Sequence, residues 1–457
     1  MSKYNLAIIG AGPAGYVGAI RAAQLGAKVA LIEKSELGGV CLNRGCIPTK
    51  AFIATAKRYK SCSDFGTFGI EMNANSVNLN FSRASDRVWQ VVDNLKKGIG
   101  MLLKSREVEL IKGEARFSSP DALSVDGNMI EADHYLIATG SKWIELKNLP
   151  VDGKHICTSD HALLWSELPK SILIVGGGYI GCEFASLYSA MGSEITIVEA
   201  TDSILPMMEG EISKLLLRVF KKNKIKVITS TMVESATSKD DLVEVKLSSG
   251  ETIRVEKVLV SVGRKSCVQG LEIENAGVEL NDRGSIKVNE YLQTSNEKIY
   301  AAGDVIGGSL LAHVASHEAV RAVENILGEK QKIDMRAIPA PVFTIPEIAS
   351  VGKTSKELSD SGIIFSTGKF PYLASGKAAC DGERDGMAIV HLDENKKLLG
   401  AHFIGKDADL IVAEAAVAIQ NELTCDEILE TPHAHPTLSE VFAEALLDAK
   451  GMGMHKI

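Results

Sequence analysis

Two stretches of the chain share one hydrophobic pattern. A short continuous apolar run, Leu6-Ala-Ile-Ile9 or Leu173-Ile-Val175, leads into a glycine cluster; an apolar, small-residue stretch follows, and a second apolar run closes on an acid. Runs of this length predict strands buried on both faces, as in a parallel sheet, and the stretch between them predicts a helix. The copies cover residues 6–34 and 173–200. Gly10, Gly12, Gly15 and Glu33 recur as Gly176, Gly178, Gly181 and Glu199, each displaced by 166 positions. Elsewhere, helical apolar spacing predicts a helix over 84–104, and short strand-like runs occupy 105–140, ending at Leu136-Ile-Ala-Thr-Gly140. Near alternation over 226–262, clearest in Leu242-Val-Glu-Val-Lys-Leu247, predicts strands with one wet face. A strand at Lys298-Ile-Tyr-Ala-Ala302 runs into Gly303-Asp304. From Pro339 a last region begins, with strands near 387–404, a helix over 408–421 and a final helix from Thr437.

The spacing inside each copy has a physical meaning. The first glycine makes the tight turn, the second lets the backbone approach a pyrophosphate, and the third lets helix and strand pack closely. The terminal acid accepts from a ribose hydroxyl. Two such copies predict two dinucleotide sites. A carboxylate at Glu199 repels a 2′-phosphate, so the second site is expected to take NAD rather than NADP. Glu33 makes the same case for an adenosine ribose at the first site, which FAD or NAD would satisfy.

Composition narrows the class. The chain has 457 residues, 45% hydrophobic and 24% charged, with a formal charge of −8. No basic face for a nucleic acid backbone is expected from that balance. No apolar run approaches the ~18 residues that suggest a membrane span. The first strand starts almost at Met1, which leaves no room for a signal or transit peptide, so a cytoplasmic or already processed organellar protein is expected.

Of eight cysteines, Cys62, Cys157, Cys182, Cys267, Cys380 and Cys425 are scattered singly. Cys41 and Cys46 stand five positions apart in Gly39-Val-Cys-Leu-Asn-Arg-Gly-Cys-Ile-Pro-Thr-Lys50. A metal half-site, a structural disulfide, two unrelated core cysteines and a redox disulfide are the candidate readings. No second cysteine pair or spaced histidines support a metal site, and none is expected. On a regular helix such positions are about 7.5 Å apart along the axis, so a bridge would have to distort it. Gly38, Gly39 and Gly45 supply backbone freedom, Pro48 opposes a wholly regular helix, and Lys50 offers a cation to a thiolate.

The ordered set of motifs resembles the pyridine-nucleotide disulfide oxidoreductases. It comprises the two glycine turns, Gly38-Gly-Val-Cys-Leu-Asn-Arg-Gly-Cys-Ile-Pro-Thr-Lys50, Ala138-Thr-Gly-Ser141, Val262-Gly-Arg264, Ala302-Gly-Asp304 with Leu310-Leu-Ala-His313, Phe343-Thr-Ile-Pro-Glu347 and His433-Ala-His-Pro-Thr-Leu-Ser-Glu440. One departure is Val40, where many relatives carry Thr. The resemblance implies an α/β chain with two Rossmann-like dinucleotide-binding domains plus a C-terminal α+β dimerisation domain. The expected division is 1–145 for FAD, 146–270 for NAD, 271–338 for a central domain returning to the FAD site, and 339–457 for the interface.

It also implies roles. Cys41–Cys46 would be the redox disulfide, with Cys46 facing the flavin and Cys41 exchanging with substrate. Lys50 would lie near the flavin ring, paired with Glu183. Gly10, Gly12, Gly15, Glu33, Ala115, Thr139, Gly140, Ser141, Asp304, Leu310, Ala312 and His313 would serve FAD. Gly176, Gly178, Tyr179, Ile180, Gly181, Glu183, Glu199, Val233 and Gly263 would serve NAD.

His435 with Glu440 resembles the family's base and its orienting carboxylate, which thiol exchange needs. On spacing alone Thr437-Leu-Ser-Glu440 reads rather as a capping box opening the last helix, and the resemblance reverses that preference. The resemblance further implies a homodimer whose active site is shared between subunits, because the base lies in the interface domain. The expected activity is oxidation of protein-bound dihydrolipoyl groups, with lipoyl domains of acyltransferases or glycine-cleavage H-type carriers as partners. The rival readings are a glutathione-type NADPH disulfide reductase, which Glu199 opposes, and a structural or docking subunit.

Overall fold

A computed structural model describes residues 3–71 and 77–455. The chain divides into two compact units: Met1–Phe52 with Asn80–Glu145 and Gly263–Ile333, and Ile53–Leu79 with Leu146–Val262 and Asp334–Ile457.

The first unit is built on a five-stranded sheet in the order Ile299–Ala301, Ala132–Ile137, Tyr4–Ile9, Val29–Glu33, Glu109–Lys112, parallel throughout. Its strands read as continuous apolar runs because alternate residues feed two different cores. Leu6, Ile8, Leu31 and Leu136 pack on one face with the helices Pro13–Gln24 and Ala312–Leu327. Ala7, Ile9, Ile32 and Ile137 pack on the other with Phe117 and Leu123 of a small antiparallel sheet, Ala115–Ser119, Ala122–Val125 and Asn128–Ile130. At Gly18 the first helix lies close to the sheet and to its partner helix: an added Cβ would meet Leu136 Cδ2 at 3.3 Å and touch Ala319 and Val323 at ordinary contact distances of 3.5 and 3.6 Å. The long helix expected over 84–104 spans Phe81–Ser105, and the Asn80 side chain caps it by accepting from Arg83 N–H.

The second unit repeats the architecture with a parallel sheet ordered Lys226–Ile228, Glu194–Val198, Ser171–Val175, Lys257–Val260, Ile156–Thr158. The alternation of Leu242–Leu247 is that of the middle strand in an antiparallel three-stranded sheet, with Val243, Val245 and Leu247 buried. The C-terminal part of this unit is a five-stranded antiparallel sheet ordered Ala340–Val342, Ile348–Gly352, Leu398–Ile404, Met387–Leu392, Ser366–Pro371, packed by the helices Ala408–Gln420 and Glu440–Ala449. Gly368 is the contact point for the last helix, since a Cβ there would lie 1.9 Å from the Ala445 carbonyl oxygen.

The α/β class with paired nucleotide-binding sheets is therefore as expected. Two local expectations are corrected. The last helix starts at Glu440 rather than Thr437, because the Thr437 hydroxyl bonds the Ala434 carbonyl and Ser439 instead of capping. Pro48 does not disturb a helix: it sits in the first turn of Cys46–Ser61, where a missing N–H costs nothing. Among the described residues no helix is long and apolar enough to cross a membrane.

Candidate active site

The two glycine turns are near-copies in space as in sequence. Gly10 and Gly176 adopt φ of 99° and 104°, where a side chain would strike Ala138 O and Ser261 O, each at 2.5 Å. A Cβ on Gly15 or Gly181 would lie 1.7 or 1.9 Å from the carbonyl oxygen of that first glycine, so helix and strand touch as the pattern requires. The helices Pro13–Gln24 and Tyr179–Met191 begin at Gly12 and Gly178 with no side-chain cap and no acid in the first turn. Their leading N–H groups are thus available to a pyrophosphate. Both acids brace their own turns. Glu33 accepts from Ala11 N at 2.7 Å and Ser35 N at 2.7 Å, and Glu199 from Gly177 N at 2.6 Å, Thr201 N at 2.7 Å and Thr201 Oγ1 at 2.8 Å. Carboxylate lone pairs remain for ribose hydroxyls. The residues at both turns therefore fit FAD and NAD. Tyr179 and Ile180 open the second helix, and burial pushes the Tyr179 phenol up. Val233 begins the strand Val233–Lys239 and is buried.

The cysteine segment docks on the first turn. Gly38 and Gly39 take φ of 89° and 58°, and the Gly39 Cα side faces Gly12 Cα so closely that an added Cβ would come within 2.6 Å. Asn43, buried, ties the segment down by donating to Leu37 O and Gly39 O at 2.8 and 2.9 Å. Cys41 lies on the short helix Gly39–Arg44, Gly45 breaks it with φ −145° and ψ −111°, and Cys46 opens the helix Cys46–Ser61. The break is what brings sulfurs five positions apart together. The two sulfurs share a hydrogen bond, and this bond first, then burial, pushes the Cys41 thiol far up, against a smaller downward pull from Lys50. Lys50 lies one helical turn beyond Cys46, on the same face.

A linear network joins three motifs. Arg264 donates from Nε to Ser141 Oγ at 2.8 Å and from Nη2 to Ser141 O at 2.7 Å, and Ser141 Oγ donates to Asp304 Oδ2 at 2.5 Å. Thr139 Oγ1 donates to Cys267 O at 2.7 Å, and Gly140 takes φ of 70°. Gly263 O accepts from Ile144 N at 3.1 Å. Ala115 starts the strand paired with Val125. Leu310, at φ 52°, and Leu311 lead into the helix that Ala312 and His313 open. Glu318 on that helix accepts from Gly303 N at 2.7 Å and so holds the turn carrying Asp304.

Burial raises the Glu318 carboxyl from 4.5 to about 7, with Gly303 N–H pulling down and Asp304 pushing up. Below pH 4.5 folded and unfolded chains both hold this proton. From 4.5 to 7 only the unfolded chain loses it, so stability falls as pH rises through that window. Glu318→Gln retains an acceptor for Gly303 N–H. It is expected to be more stable than the parent at pH 8, by up to about 3 kcal/mol, and nearly equal at pH 4.5. Denaturant unfolding of the holoenzyme at both pH values checks this; an equal offset at both would refute it.

Glu440 faces His435 as the resemblance implies, while only one bond of the capping box, from Thr437 N–H to Glu440, forms. Its Oε1 faces His435 Nδ1 at 2.8 Å, and its Oε2 accepts from Thr437 N at 2.9 Å. Burial alone would raise this carboxyl, but the bonds from His435 and Thr437 win and hold it below its usual value. The carboxylate fixes the proton on His435 Nδ1 and leaves Nε2 as the basic atom. The His435 side chain is 78% exposed. His433 turns elsewhere, with Nε2 at 2.9 Å from Glu414, whose hydrogen bond raises its pKa. Glu183 is buried on the second glycine helix and accepts from Phe343 N at 2.9 Å. Sequence reasoning missed Arg264 and Glu318 as parts of the site. Arg264 stood inside a quoted motif, whereas nothing local marks Glu318 except an acid on an otherwise apolar helix face.

Residues 4–319 match the family described as pyridine nucleotide-disulphide oxidoreductase, and residues 338–446 match its dimerisation domain. The chain is 40% identical to a dihydrolipoyl dehydrogenase of Bacillus subtilis (strain 168) over 99% of both chains. It is 39% identical to one of Chlamydia pneumoniae over 99% of this chain and 98% of that one. Among solved structures, LpdA from Mycobacterium tuberculosis superposes with a TM-score of 0.90 at 27% identity, covering 96% of this chain and 98% of the other. The HOCl-induced flavoprotein disulfide reductase RclA from Escherichia coli gives 0.88 at 28% identity, covering 97% and 99%.

Proposed function

Since the chain belongs to the pyridine nucleotide-disulphide oxidoreductase family, we propose that it is a homodimeric enzyme that oxidises dihydrolipoyl groups and delivers the electrons through FAD to NAD+. The observation that carries this reading is the hydrogen-bonded Cys41 and Cys46 pair at the helix break, on a chain similar over its length to dihydrolipoyl dehydrogenases.

The cycle starts with Cys41 and Cys46 as a disulfide. The partner subunit's His435 takes a proton from one substrate thiol at Nε2, and the resulting thiolate attacks Cys41 Sγ. The Cys41–Cys46 bond breaks and Cys46 leaves as a thiolate, stabilised by the Lys50 cation one helical turn away. The second substrate sulfur then attacks its neighbour in the mixed disulfide, the lipoyl ring closes, and Cys41 departs with that sulfur's proton. Two electrons and one proton now rest on the cysteine pair, and one proton on His435. FAD, when bound, supplies the two-electron transfer between this pair and NAD+. Glu440 stabilises the His435 cation throughout.

Gly10, Gly12, Gly15 and Glu33 would hold the FAD pyrophosphate and ribose, with Ala115, Thr139, Gly140, Ser141, Asp304 and the Leu310, Ala312 and His313 segment along the rest of the cofactor. Gly176 to Gly181, Glu199, Val233 and Gly263 would hold NAD. The domain division is 1–145, 146–270, 271–338 and 339–457. Lipoyl domains of an acyltransferase, or a glycine-cleavage H-type carrier, are the expected partners in a cytoplasmic setting.

Side-by-side turnover with dihydrolipoamide plus NAD+ and with NADPH plus oxidised glutathione tests the assignment. The first reaction is expected to exceed the second by about 10²-fold or more in kcat/KM, because the Glu199 carboxylate disfavours a 2′-phosphate. Comparable rates, or a reversal, would overturn it.

A further inference from the structure

The second compact unit buries another set of ligand-type side chains, none of which the proposed redox chemistry uses. Glu209 precedes the helix Gly210–Lys222, His391 lies on the strand Met387–Leu392, and His402 lies on its neighbour Leu398–Ile404. Their exposures are 5%, 1% and 0%. Register pairs Ile389 with His402 and His391 with Gly400, so the histidines are diagonal neighbours on one face, with ring centroids 5.3 Å apart. One donor atom from each of the three side chains lies within 4.8 Å of the others.

The hydrogen bonds define what each side chain offers. His402 Nε2 lies 3.1 Å from Lys353 O, a group that only accepts, so Nε2 carries the hydrogen and Nδ1 carries a lone pair. That Nδ1 is buried and has no hydrogen-bond partner among the described residues. His391 is held from behind by Thr367 Oγ1 at Nδ1, 3.0 Å away, and turns Nε2 to Glu209 Oε2 at 3.3 Å. Glu209 is in turn held by Ser355, whose N–H and hydroxyl each donate at 2.8 Å. Every member is thus oriented by an outer partner, as metal ligands are. A hydrogen-bond network alone leaves the His402 lone pair buried and unanswered, whereas a cation answers it.

We propose that Glu209, His391 and His402 form a Zn2+ site in the interior of this unit, with the fourth position left to a water molecule. Two imidazoles and one carboxylate are a donor set of this borderline ion. Ligands about 2.1 Å from a tetrahedral ion stand about 3.4 Å apart, so closing the set shortens its donor separations by up to about 1.4 Å.

The test uses holoenzyme carrying Cys41→Ser and Cys46→Ser, so that the dithiol cannot take the ion. It is equilibrated with Zn2+, gel-filtered, and read by metal analysis and thermal unfolding. About one Zn2+ per chain is expected, with a raised Tm, and Glu209→Gln and His402→Gln should each weaken the affinity at least about 10-fold. Should His402→Gln not fold, Glu209→Gln and His391→Asn carry the comparison. No stoichiometric Zn2+ in the double-serine protein, or unchanged affinity in the folded variants, overturns the site.

Discussion

Cys46→Ser is expected to abolish dihydrolipoamide-dependent NADH formation, by at least about 10³-fold, while the protein remains yellow. Serine oxygen forms no disulfide and takes no electron pair from a dithiol, so the covalent route is closed rather than slowed. The glycine turn that would hold FAD is untouched: Gly10, Gly12, Gly15 and Glu33 make their contacts through backbone and carboxylate, not through either sulfur. Steady-state turnover and the visible flavin spectrum of the purified variant check both halves. Activity within tenfold of the parent would remove the cysteine pair from the mechanism. Loss of flavin together with activity would show that Cys46 holds the fold of the site instead.

His435→Gln should cost about 10²- to 10⁴-fold in kcat/KM for the dithiol, the usual contribution of a positioned base. Glu440→Gln should cost less, since it weakens the orientation of the imidazole without removing it, although the Thr437 N–H bond to the same carboxylate adds a local structural loss. The exposed position of His435 within the residues matching the dimerisation domain leads to a sharper expectation. The Cys41→Ser homodimer should be inactive and the His435→Gln homodimer reduced as above, while exchange of subunits between them should restore turnover at one of the two sites of each mixed dimer. No recovery after exchange verified by differential tagging would exclude a site shared between protomers.

The two dinucleotide units were legible because their information is local. A continuous apolar strand, a glycine with positive φ, an uncapped helix start and an acid at the end of the next strand all fall within thirty residues. Each is needed for steric reasons that no distant contact can waive, as the 1.7 and 1.9 Å clashes behind Gly15 and Gly181 demonstrate. The Cys41 and Cys46 pair was legible in part. Its glycines announced a distorted helix, but the break at Gly45 and the approach of Gly39 to Gly12 are products of docking.

The remaining features had no local signature. Ser141 meets Asp304 across 163 positions and Glu209 meets His391 across 182, and neither pairing leaves a period or a motif in the chain. Glu440 was open to two sequence readings, and only the turn from Ala434 to Ser439 directs one of its oxygens to His435 and the other to the Thr437 N–H, with the Thr437 hydroxyl drawn away from a cap. The sequence by itself determined the class of fold, the two nucleotide turns and the chemistry-bearing cysteines, since backbone sterics and hydrophobic periodicity act over one or two elements. Tertiary structure alone decided which polar groups share a proton, a charge or a buried cavity. Desolvation is set by everything packed around a group, and that packing brings together residues the chain keeps far apart.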